Sequence, residues 1–187
     1  MRHPLSLIRS EGQKKDFIVL FSLTILIMLA MNMIGASLTT TSAPAGIVSF
    51  ELAFSPARAQ EIINSWSQEG QLRAAFIQGL DFLFPLVYSA ALGLGCLLAG
   101  RVLLERRKPF TSLGAWLAWA LILAAVCDYI ENIALVNELF GNVVSPFPEI
   151  AGSCAVIKFT LLLLAIAYIL YGLVVRLIAK PAVYTAT

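Results

Sequence analysis

Charge is scarce in this chain. Only 13% of its 187 residues are Asp, Glu, Lys or Arg, about half the roughly 25% of an ordinary soluble domain. The hydrophobic share is 59% and the formal net charge only +2. That balance excludes a basic nucleic-acid-binding module, a disordered chain and a loop-rich secreted scaffold.

Metal-binding and redox residues are scarcer still. The three cysteines, Cys96, Cys127 and Cys154, stand far apart with no C-x-x-C pair, so dithiol chemistry has no motif. The single histidine, His3, lies in a charged N-terminal tail. Haem or histidine-liganded zinc inside a membrane is therefore not expected. No D-x-x-D phosphate motif occurs either.

What the chain has is long apolar runs. About 20 such residues cross a ~30 Å hydrocarbon core as a helix, and four stretches qualify: 17–36, 74–100, 112–136 and 151–178. The expected fold is all-α, a single integral-membrane four-helix bundle over 1–187. The first run is longer than the 7–15 residues typical of a signal-peptide core, so it is expected to be retained despite the Ala43-Pro44-Ala45 string behind it. Lys and Arg set the orientation. Arg2, Arg9, Lys14 and Lys15, then Arg101, Arg106, Arg107 and Lys108, then Arg176 and Lys180 share one side, against Arg58 and Arg73 on the other. Both termini are expected in the cytoplasm, in a cell membrane of the bacterial inner-membrane type.

The segment 37–73 is the one sizeable loop. It holds an apolar run, Ile47 to Phe54, with Glu51 inside it, and then Ser55-Pro56, an N-cap followed by proline at the first helical position. An amphipathic external helix is expected from there to about Glu69, ended by Gly70. Its stripe of Ile62, Ile63 and Trp66 would lie flat on the membrane, with Trp66 at headgroup level.

Ionisable residues inside spans are costly and are functional candidates by default. Here they are Asp81, Asp128, Glu131 and Lys158, joined by Asn32 and Asn132. At 1.5 Å per residue Asp81, Asp128, Glu131, Lys158 and Asn32 lie about 6–12 Å below the outer helix ends, in one layer. Asp128, Glu131 and Asn132 share a helix face, as do Asp81, Phe84, Pro85 and Tyr88. Pro85 lacks an N–H, so the carbonyl of Asp81 loses its helical partner and becomes available to a cation or donor. Small residues spaced by four (Ala91, Gly95, Ala99) mark a close helix contact.

The strings Ile47-Val48-Ser49-Phe50-Glu51-Leu52-Ala53, Asp81-Phe82-Leu83-Phe84 with Tyr88, and Asp128-Tyr129-Ile130-Glu131-Asn132 resemble those of small uncharacterised four-span bacterial membrane proteins. The resemblance implies no activity.

Three acids against one lysine leave two negative charges, three with Glu51, and buried charge must be balanced. The leading expectation is an outward-facing acidic pocket that binds, and by extension transports, a small polar or cationic ligand or a proton. Asp81, Asp128, Glu131, Asn132, Asn32 and Tyr88 would form it, with Lys158 as counter-charge and Glu51 as lid. Asp81, Asp128 and Glu131 are the candidate ligands of a bound cation. Two rivals stay open: an enzyme acting on a lipid or isoprenoid headgroup, and a structural subunit whose acids serve helix pairing. The expected partners are the bilayer, a polar ligand or headgroup, and a second copy of the chain; nucleic acid is excluded.

Overall fold

The computed structural model describes residue 5 and residues 10–178. Arg2, His3, Arg9 and Lys180, used in the sequence arguments, lie outside them. The elements are α1 (Ser10–Gly35), a 3-10 turn (Ala36–Leu38), α2 (Ile47–Glu51), α3 (Pro56–Ser65), α4 (Gln68–Asp81), α5 (Phe84–Glu105), α6 (Leu113–Leu139) and α7 (Phe147–Ile178). The described residues contain no strand. Four segments are long and apolar enough to cross a membrane: Gly12–Leu38, Phe84–Glu105, Leu113–Leu139 and Phe147–Ile178.

Helix α5 lies at the centre, against α1, α6 and α7. Its small residues are the reason. A Cβ placed on Gly95 would come within 2.7 Å of Ile169 on α7 and 3.0 Å of Phe17 on α1. Gly172 of α7 lies over Ala99, where a Cβ would stand 2.6 Å from that of the alanine. The small-residue stripe therefore lets two helices close on α5. By contrast α1 beyond Asp16 is apolar on nearly every side, and half of the described side chains of α1 are exposed, Leu26 and Met33 among them. A helix of that kind needs an apolar solvent or further helices around it.

Two sequence expectations are corrected. The second apolar run is not one helix over 74–100. It breaks between Asp81 and Phe84, because Pro85 supplies no N–H there and a short turn closes instead, with Leu83 N–H donating to Leu80 at 2.9 Å. The spanning helix is α5, and α4 reaches back through 68–73, part of the segment expected as loop.

The second correction concerns α3. Ser55 caps it and Pro56 opens it as expected, but it stops at Ser65. Trp66 is extended, and Ser67 caps α4 by accepting a hydrogen bond from Gly70 N–H. Gly70 thus belongs to the first turn of a new helix. Trp66 is not at a membrane surface: it is 3% exposed, its Nε1 donates to the carbonyl of Leu38 at 2.8 Å, and its ring meets Phe50 edge-on. An indole N–H that can find a buried carbonyl favours the core over the interface.

Two apolar clusters result. One joins Leu38, Phe50, Ile62, Trp66, Ile77 and Leu135 near the loop; the other joins Leu92, Leu103, Leu121, Ala165 and Tyr168 toward the opposite end. Along α6 and α7, the buried charged side chains Asp128, Glu131 and Lys158 form a layer between these clusters.

Candidate functional site

That intervening layer is built around Lys158. Its ammonium donates to Glu131 Oε1 at 2.8 Å and to Asp128 Oδ1 at 3.2 Å, both from α6. Glu51 Oε2, delivered by α2, lies 3.7 Å away. Tyr88 of α5 donates its hydroxyl to the other oxygen of Asp128 at 2.9 Å, and the ring of Phe159 lies 4.8 Å from the ammonium. Lys158 and the three carboxyls around it are all buried, none more than 7% exposed. The apolar run at Ile47 to Phe54 explains how Glu51 arrives there. It coils into α2, Phe50 packs into the core, and the next side chain is carried under with it.

A second chain of hydrogen bonds runs beside the first. Gln78 Nε2 donates to Asn132 Oδ1 at 3.1 Å, and Asn132 Nδ2 donates to the main-chain carbonyl of Asp81 at 3.0 Å. The carbonyl released by Pro85 is therefore not held open for a cation; an amide on α6 satisfies it. The Asp81 carboxyl, 4% exposed, joins none of the ion pairs.

Seven of the eight predicted site residues are brought together. Asn32 is the exception in bonding. It is exposed and turns its amide back to Met28 on its own helix at 2.8 Å, although it borders the same cavity. No group of three or more His, Cys, Asp or Glu residues among the described residues is placed to hold a metal ion. Of the candidate cation ligands Asp81, Asp128 and Glu131, the last two are bridged by the ammonium of Lys158.

A half-enclosed cavity of about 550 Å³ opens onto this layer. Glu51, Asp81, Tyr88, Asp128 and Lys158 line its polar end, and side chains of α1, α5 and α7 line the rest. Several buried acceptors lack hydrogen-bond partners: Glu51 Oε2, Glu131 Oε2 and Gln78 Oε1. Outside the membrane-length helices, burial pushes the Glu51 carboxyl above its ordinary value, against the opposing pull of Lys158.

Sequence reasoning missed two members and a third residue, buried and polar, outside the cavity lining. Gln78 is uncharged and was passed over, although it sits three residues before Asp81 on the same face. Phe159 looked like one apolar residue among many. Glu138 was placed in a loop by ending the third span at 136, whereas α6 continues to Leu139 and buries that carboxyl with both oxygens unpartnered. Its seven-residue spacing from Glu131 was the available signal.

A larger cavity of about 720 Å³ lies elsewhere, lined by Lys14, Arg101, Glu105, Arg106 and Arg176. The basic residues of three separated segments thus converge in space. No protein-family model, curated protein or solved structure matches the chain.

Proposed function

We propose that this is a multi-pass protein of a cell membrane, a four-helix bundle with both termini in the cytoplasm, whose acidic cavity faces the outer side and binds a small polar or cationic ligand. The convergence of Lys14, Arg101, Arg106 and Arg176 at one cavity supports the orientation, because basic residues gather on the cytoplasmic side. Helices α2 and α3 then lie over the outer end as a lid carrying Glu51.

One observation carries the binding reading. Four buried carboxyls face a single ammonium around an open cavity, and Glu51 Oε2, which lines that cavity, has no hydrogen-bond partner. If all are ionised, three negative charges are unmatched. Burying unpaired charge is very costly, so protons or a bound cation must offset it. Helix pairing alone needs one carboxyl per lysine, and a purely structural subunit leaves the excess unexplained. Below the layer the core is apolar through Leu121, Ala165 and Leu103, which supports a one-sided pocket over a through-path.

The test is thermal unfolding in lipid nanodiscs with ethylammonium as probe. Binding to the native state alone raises the melting temperature in step with occupancy. Wild type should shift upward and Asp81→Asn should not. Equal response of the two proteins, or no response in either, would overturn the reading.

A further inference from the structure

The shape of the cavity narrows the class of ligand. Its charged groups sit at one end only. From there Lys158, Leu162 and Ile166 run along α7, Phe84, Tyr88 and Leu92 along α5, and Met28, Ile25 and Phe21 along α1, all lining the same space. Eight residues of helix are about 12 Å long, so α5 and α7 lay a track of that length leading away from the carboxyls, with α1 one residue shorter; the track is apolar apart from Thr24. A small hydrated cation would use the charged end and leave the track empty. An alkyl chain buried there gains affinity with every methylene taken out of water.

The walls also indicate a way in. Helices α1 and α7 both pack on α5 but scarcely touch each other. Phe17 and Ile169 come together over Gly95, and nearer the charged layer the cavity separates the two helices. Leu26, Leu29 and Met33 of α1 and Leu163 and Leu170 of α7 are exposed apolar side chains on the two helices that border it.

Charge selects the headgroup. Lys158 is already covered by Glu131, Asp128 and Glu51, so among the described residues no other cation lines the polar end to meet a phosphate, and the surplus carboxyls repel one. An ammonium is attracted instead: Asp81, whose carboxyl joins no ion pair, and Glu51, whose Oε2 makes no hydrogen bond and stands 3.7 Å from Lys158, both border the space.

We infer that the cavity takes a single-chain cationic amphiphile, an alkylammonium compound that enters from the bilayer between α1 and α7, its headgroup at Asp81 and Glu51 and its chain along Leu162 and Ile166. This rests on the cation-binding reading above and deepens it.

The test compares ethylammonium, octylammonium and octanoate on the full chain in nanodiscs, by melting temperature at matched free concentrations. Octylammonium should reach the same upward shift as ethylammonium at a concentration at least about tenfold lower, which is one factor of ten per 1.4 kcal/mol. Octanoate should give no shift, and Asp81→Asn should abolish both amine responses. Leu162→Trp, which fills the track, should cancel the octyl advantage and keep the ethylammonium response; Ile25→Trp on the facing wall serves if that variant does not fold. Equal potency of the two amines would overturn the amphiphile and keep the cation site. Stabilisation by octanoate, or an octyl advantage that survives both tryptophan variants, would overturn it as well. No response to either amine would remove the cation site together with the amphiphile.

Discussion

The side-chain amide of Asn132 on α6 donates at 3.0 Å to the main-chain carbonyl of Asp81, the group that Pro85 deprives of its helical donor. A break in one helix is thus completed by a side chain from another. The same asparagine accepts from Gln78, so one residue satisfies two otherwise orphaned groups and holds the end of α4 in place.

Replacing it should be costly. Asn132→Leu strands a buried carbonyl and the amide of Gln78, each worth about 1–3 kcal/mol when left unpaired. We expect a loss of roughly 2–5 kcal/mol, measured by denaturant unfolding in mixed micelles. A loss below 0.5 kcal/mol, no more than an ordinary surface substitution causes, would mean that water or a shifted backbone replaces these bonds.

Lys158→Met should destabilise by about 3–5 kcal/mol, the usual consequence of removing one partner of a buried ion pair. Adding Asp128→Asn and Glu131→Gln should recover most of that loss, since those two carboxyls no longer need a counter-charge. Failure of the triple variant to recover would show that Lys158 contributes through its packing against Phe159 as well as its charge.

The Glu51 carboxyl has a definite pH signature. Burial holds its affinity for a proton above that of an unfolded glutamate, so the folded state keeps its proton to higher pH than the unfolded state does. Its contribution to stability is therefore present below the ordinary value of 4.5 and is lost as pH rises from there through the raised value. Melting temperature plotted against pH should fall less steeply across that window for Glu51→Gln than for wild type. Identical slopes would place the titration on other groups.

Helix packing makes a separate prediction. Gly172→Val would drive a side chain into Ala99, whose Cβ lies 2.6 Å from the position of the new one. Overpacking of this kind costs about 1–3 kcal/mol. Gly141, which has open space around it, offers a poor control because its φ is +97°; Gly79→Ala, with no atom near the added carbon, is the proper comparison and should change stability by less than about 1 kcal/mol.

Orientation can be read by thiol labelling. Cys96 and Cys127 are buried, so a Cys154→Ala background is quiet enough for added cysteines. In intact cells Gln60→Cys, on exposed α3, should react with a membrane-impermeant maleimide and Lys108→Cys should not. The opposite pattern would invert the proposed topology.

Sequence alone determined the class and the cast of residues. Long apolar runs identified four helices able to cross a membrane, because such runs need only local composition. The carboxyls and Lys158 stood out because charge inside an apolar helix is conspicuous wherever its partners lie. Even the release of the Asp81 carbonyl was legible, since Pro85 acts on its own helix. What receives that carbonyl was not: Asn132 lies 51 residues away, and the choice between a cation, water and an amide depends on how α4 and α6 meet. Tertiary packing also turned Trp66 inward, where Leu38 offers an acceptor that no periodicity can reveal, and ended α3 early because Ser67 starts a second helix. The depth of the Glu51 carboxyl, the gap between α1 and α7 and the apolar track beneath the charges all depend on distances between helices. A one-dimensional pattern encodes which face of a helix is apolar, but only the packed structure decides how far apart two such faces stand.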